Sequence, residues 1–146
     1  MKPSINDITT DLNNPPSFDA IAKSRPSKDY SYPAQFSTKQ RRYYVDLDGL
    51  NSDKAPSEVL PITVDLARMQ ERWQIIDVDP EQGRFEAVAI TRLMRFRDDI
   101  VVEVRATENG SRIEMRSKSR LGKGDLGANA QRITDFLSAL AARLAG

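Results

Sequence analysis

Glu114-Met-Arg-Ser-Lys-Ser-Arg-Leu-Gly-Lys-Gly-Asp-Leu-Gly-Ala-Asn-Ala-Gln-Arg132 changes its hydrophobic period in mid-course, and that change sets the fold class. Up to Ser119 the residues alternate as in a strand with one apolar and one polar face. Glycines at 122, 124 and 127 then interrupt the pattern. Beyond them Ala130, Ile133, Leu137, Leu140 and Leu144 recur at helical spacings of 3, 4, 3 and 4, with Phe136 widening the stripe. A helix is expected over 126–144, with Asp125 as its N-cap. Strand, glycine-rich joint and long terminal helix together indicate an α+β protein.

Upstream, Glu108-Asn-Gly110 separates two β-branched runs, the strongest short-range hairpin signal. Four strands are expected: Trp73–Val78, Arg84–Phe96, Asp99–Thr107 and Ser111–Ser119, joined by turns at 79–83, 97–98 and 108–110. They read as an antiparallel meander. Phe85, Ala87, Ala89, Thr91 and Leu93 share a face with Ile100, Val102, Val104, Ile113 and Met115, and that face is expected to pack on helices. The opposite face carries Glu86, Arg92, Glu103, Arg105, Glu114, Arg116 and Lys118, acids and bases placed to pair across strands.

A first helix is expected over 58–72, capped by Ser57, with Pro61 in its first turn and Ile62, Leu66, Met69 and Trp73 as its buried stripe. Residues 1–57 contain six of the eight prolines and read as an irregular arm, because proline excludes long helices and central strands. Apolar anchors such as Ile5, Phe18, Ile21, Tyr30 and Tyr32 indicate that this arm lies on the core formed by residues 58–146, in one domain overall.

The composition removes several chemistries. The chain has 146 residues, no cysteine and no histidine, so disulfides, thiolate nucleophiles, Cys/His zinc sites and Ser–His–Asp triads are all excluded. A net charge of +1 lacks the one-signed surface that bulk nucleic-acid binding needs. No apolar run reaches the ~20 residues of a membrane-spanning helix, and the polar N-terminus has no signal-peptide pattern. Asp46-Leu-Asp-Gly49 lacks the remaining ligands of a calcium loop, so neither metal nor cofactor is expected.

The candidate site is the joint itself. Arg116, Ser117, Ser119, Arg120 and Lys123 lead into a helix that opens with Asp125, Asn129 and Arg132, an arrangement suited to a small anion. The same residues admit a purely structural reading, in which glycines supply positive φ, Asp125 caps the helix and the arginines pair with carboxylates. Asp7 and Asp11 are the expected partners: the arm is predicted to cross the sheet and set one of them against Arg116, Arg120 or Arg132. Asp98 and Asp99 are expected to serve as turn and capping residues.

Several separated motifs, in order, resemble the domain-of-unknown-function family 1499. They are Asn6-Asp-Ile-Thr-Thr-Asp11 with Pro15-Pro-Ser-Phe18, Trp73, Phe85-Glu-Ala-Val-Ala-Ile-Thr91 and Phe96-Arg-Asp-Asp-Ile-Val101. Met115-Arg-Ser-Lys-Ser-Arg120 with Gly122, Asp125-Leu-Gly-Ala-Asn129 and Arg132-Ile133 complete the set. The resemblance implies the soluble part of an exported or membrane-tethered protein, periplasmic or lumenal, since relatives carry an N-terminal signal or membrane segment. Three functions are therefore entertained. The first is a non-catalytic accessory module, extracytoplasmic and associated with a membrane protein or complex. The second is an enzyme acting on an anionic substrate through Arg116, Arg120 and Lys123, with Glu86 or Asp125 as acid/base. The third is a carrier holding a small apolar ligand between sheet and helix, beside the small side chains of Ala87 and Ala89.

Overall fold

The computed structural model describes residues 2–146. Its elements are β1 (Asp7–Thr9), α1 (Ala20–Ser24), α2 (Phe36–Tyr43), β2 (Leu50–Ser52), α3 (Pro56–Arg68), β3 (Trp73–Asp79), β4 (Arg84–Ile90), β5 (Arg97–Thr107), β6 (Gly110–Ser119) and α4 (Ala128–Leu144). The α+β class and the antiparallel meander of β3 to β6 are as the sequence pattern predicts. The sheet, however, has six strands rather than four. The arm supplies the other two, β1 against residues 116–118 of β6 and β2 against residues 111–113. Together they cover an edge that a four-stranded meander would leave open to pairing with other chains. At the hairpin tip, Gly110 has φ 150°, and a Cβ there would lie 2.1 Å from the carbonyl oxygen of Ser52. Only glycine lets β2 approach so closely.

Residues 1–57 are thus less irregular than expected: they contain two strands and two helices, and α3 begins at Pro56, across the anticipated boundary. Pro56, not Ser57, opens α3, and Ala55 at the N-cap offers no side-chain hydrogen bond. Pro61 sits in the second turn, where its missing N–H frees the carbonyl of solvent-exposed Ser57. The helix ends at Arg68, so Met69 is exposed and Trp73 belongs to β3, stacked on Phe136 at 5.1 Å.

Helices α3 and α4 cover the apolar face. Phe85, Ala87, Ile100, Val102, Ile113 and Met115 are all buried there, and Ile133, Phe136 and Leu140 of α4 fill the layer above them. The small side chains of Ala87 and Ala89 lie in this core beneath the helices.

On the other face the arm is fastened by buried charges. Arg116, 2% exposed, donates from Nε and Nη2 to the two carboxylate oxygens of Asp7 at 2.9 and 2.7 Å. It also donates to the carbonyls of Pro16 (3.0 Å) and Tyr30 (2.8 Å), and lies 4.9 Å from the centroid of the Phe18 ring. Glu86 does the reverse: its carboxylate accepts the backbone N–H groups of Asp19, Ala20 and Ile21 at 2.9–3.2 Å, at the start of α1. Asp11 pairs with Arg105 at 2.7 Å, not with the three arginines proposed for it. Phe18, Ile21 and Tyr30 then close over Val88 and Val101 in a second, smaller core.

Such a face tolerates the loss of both partners of an ion pair better than the loss of one. Arg116→Met leaves the Asp7 carboxylate buried without a cation, and should cost about 3–5 kcal/mol in urea unfolding. The double variant Asp7→Val/Arg116→Met should lose clearly less than the two single losses summed. Strict additivity would show that the pair does not hold the arm.

Candidate functional site

The residues singled out at the joint divide between the two faces of the sheet. Register places Ile8, Ser117 and Ile100 on the helix side, whereas Asp7, Lys118 and Asp99 point toward the arm. Arg116 therefore lies under the arm. On the helix side Ser117, Ser119, Asp125, Asn129 and Arg132 form one hydrogen-bonded group. The Asn129 amide oxygen accepts from Ser117 Oγ (2.6 Å) and from Arg132 Nη1 (2.9 Å). Its Nδ2 donates to Ser119 Oγ (2.9 Å) and to Asp125 (2.7 Å). Arg132 also pairs with Asp98 at 2.9 Å.

Asp98 and Asp99 are not turn residues, because β5 already begins at Arg97. As neighbours in a strand they face opposite ways. Asp99, on the arm side, accepts from the Tyr30 hydroxyl (2.6 Å) and pairs with Arg120 (2.8 Å). Each aspartate thus fastens an arginine close to the point where the chain leaves the sheet. Burial pushes the Asp98 carboxyl above its ordinary value of 3.8, against the opposing pull of Arg132.

Asp125 is not the N-cap residue, since α4 starts at Ala128 and Gly127 holds that position. It caps from two residues further out, accepting the N–H of Gly127 at 2.7 Å and that of Asn129 at 3.1 Å. The turn it stabilises holds Leu126 in the left-handed region at φ 54°. Of the eight candidate residues only Lys123 has its side chain free: among the described residues it forms no ion pair or hydrogen bond, and it is exposed. Glu86 lies under the arm with its carboxylate taken up by the N–H groups of Asp19, Ala20 and Ile21, and Asp125 lies on the helix side with its oxygens taken up by Gly127 and Asn129.

The same end of the sheet carries a feature that sequence reasoning missed. Strand β4 stops at Ile90 rather than continuing to Phe96. The six residues after it form a closed loop: the Thr91 N–H donates to the Phe96 carbonyl at 2.8 Å, and the Phe96 N–H to Thr91 Oγ1 at 2.8 Å. Pairing of Ile90 with Arg97 and of Asp98 with Ser119 brings the 91–96 loop beside the 120–127 loop, as does the hydrogen bond from the Arg120 N–H to the Arg97 carbonyl. Asn6 braces the second loop through Gly122 at 2.6 Å. Both tips are apolar and exposed: Leu93 88%, Met94 66%, Leu121 64% and Leu126 87%. Arg92, Arg95, Arg97 and Lys123 stand among them, exposed and, among the described residues, without an ion pair. The signal was present in Arg92-Leu-Met-Arg-Phe-Arg97, where two adjacent apolar residues between arginines break the strand alternation.

The aspartates are separable in titration. Asp98 should titrate above 3.8 by carboxyl-carbon NMR. Asp11 should titrate below that value: burial raises it, but the Asn14 and Asn13 N–H groups and Arg105 together outweigh burial. A raised folded-state pKa means that the native state holds its proton more tightly than the unfolded state. The contribution of Asp98 to stability therefore falls as pH rises from the unfolded value of 3.8 through its folded pKa. Over that window the stability of Asp98→Asn relative to wild type should rise with pH; a flat or falling difference would show that Arg132, and not burial, governs the site.

No curated protein matches the chain. A family model does, over residues 7–140, from the first residue of β1 into the last turns of α4. That span takes in the Asp7–Arg116 pair, both exposed loops and the Asn129 group. The chain belongs to the family described as protein of unknown function (DUF1499).

Proposed function

We propose that this protein is a non-catalytic accessory module that docks, through the loop end of its sheet, on a membrane-associated assembly on the extracytoplasmic side. One observation carries the reading: the side chains of Leu93, Met94, Leu121 and Leu126 are exposed on two neighbouring loops at one end of the sheet. Exposed apolar side chains gathered at one end and interspersed with cations are the ordinary mark of an interaction surface. In this reading Ser117, Ser119, Arg120, Asp125, Asn129 and Arg132 do not bind a ligand but hold the bases of the two loops, and Arg116 with Asp7 holds the arm behind them. Their mutual hydrogen bonds support that role, since groups already paired in the folded state have little left to offer an anion. The assignment to a membrane and to an extracytoplasmic compartment rests on the family resemblance. None of the helices among the described residues is long and apolar enough to cross a bilayer, so association of this domain would take place through its surface.

Sedimentation with membranes of the source cell tests the role. The wild-type protein should pellet with them, and Leu93→Ser/Leu126→Ser should remain largely in the supernatant with an unchanged melting temperature, since both side chains are exposed. Equal retention of the two proteins would rule out docking through this end.

A further inference from the structure

From the composition of the two loops we infer that their direct partner is an anionic lipid surface, with the apolar tips set among the acyl-chain ends and the arginines among the phosphates. The inference rests on the docking role proposed above and goes beyond it by naming what the loops touch. Charge complementarity carries it. Residues Thr91–Arg97 contain three arginines and no acid. In the facing loop the one acid, Asp125, has its two oxygens engaged by Gly127 and Asn129, which leaves Lys123 as the exposed charge. At the same end Asp98 and Asp99 are buried and already paired with Arg132 and Arg120. Nearby Glu71 is paired with Arg72 at 3.2 Å. The accessible charge at this end is therefore almost wholly positive, although the whole chain carries only +1.

The interleaving of charge and apolar groups argues for lipid over a protein groove. Each exposed arginine of the 91–97 loop adjoins Leu93, Met94 or Phe96 in sequence, so its guanidinium sits about one residue from an apolar tip. A bilayer presents that layering, phosphates just outside an apolar boundary some 5–10 Å deep, and long basic side chains reach back to the phosphates as the apolar groups enter. A protein partner would have to match two separate convex tips with two pockets. Leu126 adds a second line of support. Its left-handed φ of 54° is unfavourable for a residue with a Cβ, and an 87% exposed side chain returns nothing to the fold. The turn therefore holds a leucine outward against its own local preference.

Flotation with protein-free vesicles decides the matter. Vesicles of phosphatidylcholine with about one-third phosphatidylglycerol should carry the protein upward, and pure phosphatidylcholine vesicles should carry much less. Each basic residue near an anionic leaflet strengthens partition by roughly five-fold. Arg92→Gln/Arg95→Gln/Lys123→Gln should therefore weaken binding at least tenfold, as should Leu93→Ser/Leu126→Ser. Raising salt to 0.5 M should reduce the wild-type signal without abolishing it, because only the charge contribution is screened. Retention on native membranes through the loops, without binding to anionic vesicles, would overturn the lipid assignment while leaving the docking role intact, with a protein as partner. Vesicle binding that survives both sets of substitutions would place any lipid contact elsewhere and overturn it equally. Failure on both native membranes and vesicles would remove the docking role as well.

Discussion

A guanidinium cannot shed its proton in a protein, so Arg116, once covered, requires acceptors on every side. It finds them at three separated points of one segment: the Asp7 carboxylate and the carbonyls of residues 16 and 30. Thus a single position in β6 fixes the path of the arm across the sheet. The pair also fixes register. In β1 the Asp7 side chain faces the arm and Ile8 faces the helices, opposite Ser117. A slip of one residue would drive Asp7 into the apolar core and set Ile8 beside Arg116. Neither is tolerable, so the placement of the first strand follows from one ion pair.

The adjacent aspartates do for the sheet end what Arg116 does for its middle. Asp98 ties Arg132 of α4 from one face, and Asp99 ties Arg120 and Tyr30 from the other. Three segments that reach this end are therefore fastened at their bases: α4, the start of the 120–127 loop and the arm. The loops that project beyond these ties are short and apolar at their tips. Rigid bases under exposed tips are what a docking surface requires, because little order then remains to be gained on contact. The exposed tips and the buried ion pairs are two consequences of one arrangement.

How far the sequence disclosed this depends on how local each signal was. The meander, the Asn109–Gly110 turn and the stripe of α4 were legible because each is written within a dozen residues. So was the alternation that assigns Arg116 and Glu86 to the polar face. What alternation cannot say is whether that face meets water or more protein, and here an arm distant in sequence decides it. Strands of three residues, such as β1 and β2, leave no periodicity to detect. The false extension of β4 to Phe96 has a similar origin. Phe85, Ala87, Ala89, Thr91 and Leu93 keep the alternation through the true end at Ile90, and no glycine or proline marks the break. The turn is made instead by the Thr91 hydroxyl and by Arg95 at φ 57°. Reading Leu93 as core concealed the one loop whose exposure carries a functional argument.

Natural sequences agree with their structures at most positions, and the disagreements concentrate where the chain serves something besides its own stability. In this protein the charged sheet face is not such a place, for all that it looks unusual: its acids and bases satisfy one another and the backbone of the arm. The disagreement lies at Leu126 and in the 91–96 loop. There, two non-glycine residues adopt left-handed backbone within loops that leave leucine and methionine in water. Polar residues, or glycine at the two strained positions, would suit those turns better if only folding were at stake. The pairing of local strain with exposed apolar surface is hard to account for within the chain, and it is resolved once those side chains have somewhere else to go.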